Sequence, residues 1–252
     1  MSDVVVVAGL FDDMRFADFR FLEEASKLGK LHVALYSDAL SSRPVKFPEA
    51  EREYLLRSIR YVSDLTIVNG DSEIPHGMRL VREGEAAPHD ARVIPDSVLK
   101  QPPPAPPTPI NPPSRSGKKV IVTGCFDYFH SGHVRFLEEC SELGDLYVAV
   151  GNDANVRELK GEGHPLFPAL QRRMIVGSIR YVTMCIIGTG MGWMDAEPDI
   201  EKLKPDIYAV NEDGDKPEKR EFCKQHGLEY RVLKRLPKPG LTRRSSTDLR
   251  GF

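Results

Sequence analysis

The sequence predicts an α/β fold made of two tandem domains, each a parallel sheet flanked by helices. Short apolar runs alternate with segments of helical periodicity, which is typical of repeated strand–helix units. The chain also resembles itself: after a shift of 115 positions, 14 of the 28 residues from 9 to 36 are identical to their counterparts. A period of this length is that of a whole domain, so it indicates a tandem duplication and not a solenoid.

A proline-rich stretch separates the two copies. Eight of the twelve residues from 102 to 113 are proline, and such a run cannot donate backbone hydrogen bonds to a helix or a sheet. We expect an extended polyproline II spacer; the alternative is a ligand for a proline-binding module. The predicted organisation is a first domain at 1–97, a linker at 98–117 and a second domain at 118–252.

Composition and charge argue against several classes of protein. The 252 residues include 35 Lys and Arg and 37 Asp and Glu, so there is no electrostatic reason to expect nucleic acid or an anionic membrane as a partner. No apolar run approaches the ~20 residues of a membrane span, and the chain does not begin like a signal peptide. The four cysteines are widely spaced, which predicts reduced thiols in a cytoplasmic protein, with neither a disulfide framework nor a zinc site.

The second copy alternates regularly between the two kinds of element. Strands are predicted at 119–123, 146–150, 182–187, 206–210 and 229–233, and helices at 131–143, 168–180, near 197–203 and at 216–226. The residues around Lys160 are predicted to form a polar loop. In the first copy, 90–94 is expected to correspond to the strand at 206–210. Ligands bind parallel sheets beyond the carboxyl ends of the strands, so the turn after the strand at 119–123 is the expected site.

That turn carries the clearest indication of chemistry. Gly124 ends the strand, and His130 and His133 stand at the predicted start of a helix. A helix N-terminus offers unpaired N–H groups and a partial positive charge, which suit a phosphate. Histidines three residues apart share a face, and Gly132 between them permits a close approach. The alternative is a helix capped by Ser131 that carries two incidental surface histidines.

These residues resemble the first signature of the HxGH nucleotidyltransferase superfamily, and specifically of its cytidylyltransferase-like branch. In that family G-x-F-D-x-x-H-x-G-H joins the first strand to the first helix. The resemblance, which extends to glycerol-3-phosphate and ethanolamine-phosphate cytidylyltransferases, implies two Rossmann-like nucleotidyltransferase domains. It also implies transfer of CMP from CTP to a phosphorylated or phosphonate small molecule with release of pyrophosphate; transfer from ATP is the alternative. Mg²⁺ is expected as the counterion of the triphosphate, held mostly by phosphate oxygens and water, without a metal site of its own on the protein.

The resemblance further assigns roles to individual residues. His130 and His133 would hold the phosphates and Lys160 would neutralise charge, as the catalytic residues. The expected nucleotide-binding residues are Thr123, Gly124, Cys125, Phe126, Asp127, Gly132, Arg172, Asn211, Asp213, Ser245, Ser246 and Thr247. Cys125 occupies a variable position of the turn, which we interpret as packing and not as a nucleophile.

Some of these assignments compete with structural interpretations. Lys160 could be a solvated loop lysine. Arg172 has a counterpart, Arg52, in the first copy, so a structural salt bridge competes with ligand binding there. Residues 211–215 could form an acidic turn. The glycine-rich run at 188–192 lacks the spacing of a dinucleotide fingerprint, and Trp193 after it could line the acceptor pocket.

A second candidate phosphate site lies near the C-terminus at 245–247. Hydroxyl groups that open a helix between basic residues suit an anion, and simple N-capping is the alternative. The stretch resembles the second signature of the superfamily in two forms, the cytidylyl form with Asp248 and Leu249 and the adenylyl form with Arg250. Gly240 stands where the cytidylyl form has an arginine. The sequence therefore leaves the base open between CTP and ATP.

The first copy departs from the pattern where chemistry is expected. Arg15 replaces the first histidine and Asp18 the second, and a carboxylate would repel a triphosphate. We therefore expect an inactive copy that serves as the partner half of an intramolecular pseudo-dimer, with homodimerisation as a further option; the alternative is a different catalytic constellation. For the whole chain, the alternatives to an enzyme are a non-catalytic nucleotide sensor and an interaction module that docks through the proline run.

Overall fold

The computed structural model describes residues 4–86, 88–101 and 117–251, with side chains up to Leu249. The chain divides into two compact units, Met1–Pro103 and Pro104–Phe252. The predicted polyproline segment at 102–113 lies outside the described residues. In the described part of the chain, no helix is both long enough and apolar enough to cross a membrane.

The first unit is built on a five-stranded sheet. Its strands are β1 (Val4–Gly9), β2 (Lys30–Tyr36), β3 (Val62–Val68), β4 (Met78–Arg82) and β5 (Arg92–Ile94), and its helices are α1 (Phe16–Ser26), α2 (Glu49–Ser58) and α3 (Asp96–Leu99). The strand order is β3-β2-β1-β4-β5. All neighbouring strands pair in parallel.

The second unit contains a sheet of the same size. Its strands are β6 (Lys119–Gly124), β7 (Asp145–Val150), β8 (Val182–Ile187), β9 (Ile207–Asn211) and β10 (Glu229–Leu233), and its helices are α4 (Ser131–Ser141), α5 (Asp153–Lys160), α6 (Ala169–Gly177), α7 (Glu197–Leu203) and α8 (Pro217–His226). The order is β10-β9-β6-β7-β8, again parallel throughout. In both units the spatial order is third, second, first, fourth and fifth strand. The α/β class with two parallel, helix-flanked sheets is thereby confirmed.

The strands are apolar along their length because the sheet is covered on both faces. Val120, Ile121 and Val122 follow one another in β6, and each is at most 1 % exposed. Side chains of successive strand residues point to opposite faces, so this burial requires cover on both sides. On one side Ile121 packs in a cluster with Ile200 of α7 and Phe222 of α8. Burying each such side chain contributes about 1.5–3 kcal/mol.

The order in which strands are added to the sheet switches from one side of β6 to the other. The successive strands β7 and β8 lie on one side of β6, and β9 and β10 lie on the other. In an open parallel sheet, such a switch leaves a crevice at the carboxyl ends of the strands. Gly124 ends β6 and Asn211 ends β9, so both of these predicted site segments open at that crevice.

One segment of the second unit has a different structure from the predicted one. Residues 153–160 form the helix α5 and not a polar loop, so Lys160 ends a helix. Asn152 caps this helix by accepting a hydrogen bond from the backbone N–H of Asn155 at 2.8 Å, and Val156 is buried beneath it. Eight residues with few apolar positions give too weak a periodicity to distinguish a helix from a loop by sequence.

The correspondence predicted for 90–94 is also wrong. β4 lies beside β1 in the first unit, as β9 lies beside β6 in the second. The counterpart of 206–210 is therefore β4 at 78–82, and β5 at 92–94 holds the edge place of β10. Glycine and proline residues flank β4, and these residues usually indicate a loop. The short strand was therefore not recognised from sequence, because its pairing depends on β1 and β5.

Gly144, in the turn between α4 and β7, provides a test of the packing of the second unit. It has φ +155°, and an added Cβ would lie 2.5 Å from the carbonyl oxygen of Lys118. We expect Gly144→Ala to lower the free energy of unfolding by about 2 kcal/mol, because the backbone must shift. Gly177→Ala in α6 is the control, since its Cβ would meet Cys185 at an ordinary 3.5 Å. Urea unfolding measures both variants, and equal stabilities would contradict the expectation.

Candidate nucleotide-binding site

The turn after β6 folds back over the end of its own strand. Phe126 has φ +52°, a left-handed conformation that is unfavourable for a bulky side chain. Its ring lies over Gly124, where an added Cβ would approach the ring to 2.8 Å. Glycine is therefore required at this strand end. Phe11 has the same conformation, with φ +50°, in the first unit.

His130 and His133 meet at the start of α4. His130 is the N-cap, and its Nδ1 accepts a hydrogen bond from the backbone N–H of Gly132 at 3.0 Å. The cap is thus the histidine itself and not Ser131. The two imidazole rings stack with their centroids 4.0 Å apart. A Cβ on Gly132 would lie 2.9 Å from the ring of His130, so glycine lets the ring fold back onto the helix.

Each histidine retains a buried nitrogen that has no hydrogen-bond partner among the described residues. These atoms are Nε2 of His130 and Nδ1 of His133. Buried polar atoms are nearly always paired, so two neighbouring exceptions indicate a place for a ligand. Because Nδ1 of His130 accepts from Gly132, the proton of a neutral ring lies on Nε2. His130 therefore presents an N–H donor that lacks an acceptor.

Burial keeps both imidazoles neutral near pH 7. It lowers the pKa of His130 to about 3, with further lowering from the nearby charges of Arg235 and Arg244. The pKa of His133 is lowered well below its ordinary value, first by burial and then by His130. The histidines therefore offer hydrogen bonds to an anion and not positive charge. Charge compensation must come from other residues.

A cavity of about 410 Å³ opens at the carboxyl ends of β6 and β9. Its walls come from the end of β6 and the turn after it, from α4, α5 and α8, from the turn before α7, and from the loops that follow β7, β9 and β10. The predicted site residues that line it are Thr123, Gly124, Cys125, Phe126, Asp127, His133, Lys160, Asn211, Asp213, Ser245, Ser246 and Thr247. Trp193 also lines it. His130, Gly132 and Arg172 lie outside this lining.

Lys160 and Cys125 both line the cavity. Lys160 is exposed at the last turn of α5, and Gly161 ends the helix with φ +86°. The lysine is close enough for its charge to affect the pKa of both Cys125 and His133. Burial nevertheless raises the pKa of Cys125. A protonated thiol agrees with packing and not with a nucleophile.

Arg172 is a structural residue, which corrects its predicted role as a ligand-facing cation. Its side chain is fully buried, and its guanidinium donates to the carbonyls of Phe167 at 2.8 Å, Cys125 at 2.6 Å and Gly151 at 2.8 Å. A fourth hydrogen bond reaches Asp153 at 2.6 Å. Its donors are therefore committed to the protein.

The counterpart of Arg172 in the first unit makes the same kinds of contacts. Arg52 donates to the carbonyls of Phe47, Leu10 and Tyr36 at 2.5–3.0 Å and to Asp38 at 2.5 Å. The arginine thus ties the strand-end turns together with or without the two histidines. This equivalence supports the structural alternative.

Asp127 is likewise engaged by the protein. Its carboxylate is buried and accepts hydrogen bonds from the backbone N–H groups of Leu166, at 2.8 and 2.9 Å, and Phe167, at 3.0 Å. Asp12 accepts from Lys46 and Phe47 in the first unit, both at 2.9 Å. The aspartate of the turn therefore holds the loop before α6 in the second unit and the loop before α2 in the first. Part of Asp127 also lines the cavity.

The hydroxyl run at 245–247 does not open a regular helix. It precedes one 3₁₀ turn, Asp248–Gly251. Ser245 caps that turn, with its Oγ 3.2 Å from the backbone N–H of Asp248 and 2.8 Å from its carboxylate. Ser246 donates to the carbonyl of Tyr128 at 3.3 Å. Capping is therefore present, and the run lines the cavity as well. The side chain of Arg250 lies outside the described part of the structure.

Four polar or charged lining residues were missed by sequence reasoning: Asn155, Asp195, Lys219 and Arg235. Arg235 follows β10 and is held by Asp213 at 2.5 Å and by the carbonyl of Arg244 at 3.2 Å. The positive charge of Arg235 contributes to lowering the pKa of both His130 and His133. A basic residue just beyond the carboxyl end of a parallel strand was the available signal.

The corresponding place in the first unit is occupied by ion pairs. Asp18, which replaces the second histidine, contacts Arg82 at 2.5 Å. Arg15, which replaces the first, contacts Asp13 at 2.7 Å, and Lys46 approaches the same carboxylate at 3.3 Å. The charges there compensate one another within the protein, whereas the second unit leaves histidine nitrogens unpartnered.

The buried arginine can be tested by its effect on stability. We expect Arg172→Ala to lower the free energy of unfolding by about 3–5 kcal/mol, because three carbonyls and Asp153 lose a buried partner. Arg157→Ala, an exposed arginine on α5, is the control and should change stability by less than about 0.5 kcal/mol. Chemical denaturation measures both. A tolerated Arg172→Ala would show that its contacts do not hold the turns together.

The depressed histidine pKa predicts a pH-dependent stability. Below the ordinary value of 6.5, the unfolded chain binds protons that folded His130 does not bind until about pH 3. Its contribution is therefore fully present above pH 6.5 and is lost as the pH falls toward 3. We expect His130→Asn to reduce the slope of unfolding free energy against pH between 6 and 4 by about 1.4 kcal/mol per pH unit. Denaturation series measure the slope, and identical slopes would contradict burial of a neutral ring.

This chain is similar to several known proteins. The family model described as "Cytidylyltransferase-like" matches residues 121–252. The FAD synthase of Ferroglobus placidus is 40% identical over 120 residues, which is 46% of this chain and 75% of that protein. The bifunctional protein HldE of Alcanivorax borkumensis is 34% identical over 121 residues, 46% of this chain but 25% of that protein. A lipopolysaccharide core biosynthesis protein from Thermoplasma volcanium superposes with a TM-score of 0.40 and 24% identity over 51% of this chain and 98% of that one.

The match to the family model covers the second sheet from Ile121 of β6 onwards and each segment that lines the cavity. The signature at 124–133 and the hydroxyl run at 245–247 both fall inside it. This chain belongs to the cytidylyltransferase-like family.

Proposed function

We propose that the second unit transfers a nucleotidyl group from a nucleoside triphosphate to a phosphorylated or phosphonate small molecule and releases pyrophosphate. The observation that carries the proposal is the pair of buried, unpartnered nitrogens on His130 and His133 beside a cavity at the strand ends. Neutral donors of this kind suit phosphate oxygens, and the cations Lys160 and Arg235 stand on the same cavity. The family supports nucleotidyl transfer as the class of reaction.

The reaction follows from this arrangement. An oxygen of the acceptor phosphate attacks the α-phosphorus, and the bond to the bridging oxygen of pyrophosphate breaks on the opposite side. The attacking oxygen is already ionised, so no general base is needed, and positioning and charge stabilisation supply the catalysis. The Nε2–H of His130 donates to a phosphate oxygen, and His133 beside it lies on the cavity wall. The hydroxyls at 245–247 hold the leaving pyrophosphate.

Arg235 takes the charge-neutralising role in this proposal. Arg172 is buried and committed to carbonyl groups, and the family's other arginine is absent at Gly240. Arg235 lines the cavity and lies near both histidines. Together with Lys160 it provides two positive charges next to neutral hydrogen-bond donors. This division suits a ligand whose charge is spread over several phosphates.

Mg²⁺ would enter with the triphosphate. Among the described residues, no three His, Cys, Asp or Glu side chains stand close enough to hold a metal ion. Of the carboxylates at the cavity, Asp127 is bound to backbone N–H groups and Asp213 is paired with Arg235. Because the protein itself engages these carboxylates, we expect Mg²⁺ to be held mainly by phosphate oxygens and water, which is its usual state with nucleotides.

CTP is the first candidate donor, from the cytidylyl form of the signature at 245–249 and the family description. ATP is the second, favoured by the similarity to FAD synthases, which carry out adenylyl transfer, and by Arg250 at the adenylyl position. The acceptor is a small phosphorylated or phosphonate compound. A nucleotide sensor without turnover is the alternative to an enzyme.

The first unit is proposed to be an inactive duplicate. The shared strand order and the repeated contacts of Asp12 and Arg52 support a duplication, and its ion pairs at Asp18 support the loss of phosphate binding. The predicted pseudo-dimer or homodimer and the domain limits 1–97, 98–117 and 118–252 remain predictions.

Pyrophosphate release tests the proposal. The full chain with Mg²⁺ and either CTP or ATP should release pyrophosphate with one member of a panel of phosphorylated acceptors. We expect Lys160→Ala and Arg235→Gln each to lower kcat/KM by about 10²–10³-fold, because each removes a cation that faces developing charge.

Matched controls lie on the same elements. Arg157→Ala removes a cation from the same turn of α5, and Arg231→Gln removes one from β10; both side chains are exposed and outside the cavity. They should retain near-parental kcat/KM. Equal losses in controls and site variants would count against the assigned cations. Nucleotide binding without release for any acceptor would favour the sensor.

A further inference from the structure

One part of the cavity has no role in the phosphate chemistry described above. Lys219 of α8 and Asp195 in the turn before α7 both line the cavity. Neither belongs to the turn after β6, the histidine pair or the hydroxyl run. Their opposite charges, the burial of Lys219 and the half-buried position of Asp195 indicate a second polar subsite.

Lys219 is a buried cation without a protein acceptor. Its residue is 7 % exposed, and its Nζ lies 5.6 Å from the centroid of the Tyr208 ring. The described residues offer it neither a hydrogen bond nor an ion pair within 4.0 Å. A lysine is almost never so buried unless it is paired. The ring provides partial stabilisation, and the ammonium retains donors for another group.

Asp195 is held in place by a buried amide. Asn155 is 1 % exposed, and its Nδ2 donates to the carboxylate of Asp195 at 3.1 Å. The side-chain oxygen of Asn155 accepts from the backbone N–H of Gly192 at 2.6 Å, which fixes the amide orientation. The carboxylate also accepts a hydrogen bond from the backbone N–H of Ala196. Since an ionised carboxylate has about four lone-pair sites, it still has capacity to accept from a ligand at the cavity wall.

The two charges influence each other but are not in contact. Burial lowers the pKa of Lys219, and Asp195 raises it. Burial raises the pKa of Asp195, and Lys219 lowers it. No ion pair joins them within 4.0 Å among the described residues, so each pays a desolvation cost that the other does not directly offset. A group that accepts from the ammonium and donates to the carboxylate would satisfy both.

We propose that Lys219 and Asp195 together bind a hydroxyl group of a substrate. A hydroxyl is both donor and acceptor, so it can accept from the ammonium and donate to the carboxylate, whereas a quaternary ammonium group can do neither. The proposal rests on the proposed function, since it concerns the same cavity. The hydroxyl comes either from the ribose of the nucleotide or from the acceptor; the latter source makes the acceptor a polyol phosphate and not choline phosphate.

Calorimetric binding distinguishes the two sources without requiring turnover. The ligands are CTP and ATP, each with its 2′-deoxy and 3′-deoxy analogue, and glycerol phosphate with propyl phosphate. The parent should bind one hydroxyl-bearing ligand about 10- to 100-fold more tightly than its deoxy counterpart. In Lys219→Met and in Asp195→Ala that ratio should fall to near 1. Lys224→Met, an exposed lysine of α8, should keep the parental ratio.

The outcomes separate the subsite from the reaction. A ratio lost only for the nucleotides assigns the hydroxyl to ribose, and a ratio lost only for glycerol phosphate assigns it to the acceptor. Either result supports the subsite even if no pyrophosphate is ever released. Equal losses for hydroxyl-bearing and deoxy ligands, or a parent that does not discriminate between them, would overturn the proposal. Turnover with unchanged ratios in both variants would retain the proposed function and reject the subsite.

Discussion

The buried guanidinium of Arg172 is the interaction on which the site depends. It donates to carbonyl oxygens at the ends of β6 and β7 and before α6, and it binds the first residue of α5. Parallel strands end without hydrogen-bond partners for their last carbonyls, and one arginine with five donors can satisfy several of them together. Asp127 does the converse for backbone N–H groups of the same loop. The turn is thereby fixed relative to the end of β7, the start of α5 and the loop before α6 before any ligand is present.

This arrangement separates support from chemistry. The first unit keeps the arginine and the aspartate as Arg52 and Asp12, with the same kinds of partners, yet it has ion pairs where the second unit has histidines. The supporting contacts therefore do not require the histidines. The neutral histidines at the start of α4 and the cations Lys160 and Arg235 on the cavity are features that the second unit has in addition to these shared contacts.

Three unsatisfied groups of the second unit lie at or beside one cavity. Among the described residues, one nitrogen of His130 and one of His133 have no hydrogen-bond partner, and Lys219, which lines the cavity with His133, has no acceptor. Each would lower stability in an isolated protein, and such violations of local rules are expected where a site is built for a ligand. Their separation within the cavity is suited to two kinds of ligand group, phosphate oxygens at the histidines and a hydroxyl at Lys219.

The sequence by itself determined the class of fold and the position of the histidine pair just beyond the end of β6. These features follow from the runs of apolar residues, the internal similarity and the spacing of His130 and His133. Such patterns along the chain can be recognised from a single sequence. Asp127 and Arg172 were recognised as important, but their partners are carbonyl and N–H groups about 20 to 47 residues away. Only the tertiary structure could decide that they fasten turns. The same holds for Arg235, Asp195 and Lys219, which belong to no sequence motif. Parallel pairing brings the ends of distant strands and helices to one crevice, where these charged side chains are partly or fully removed from water.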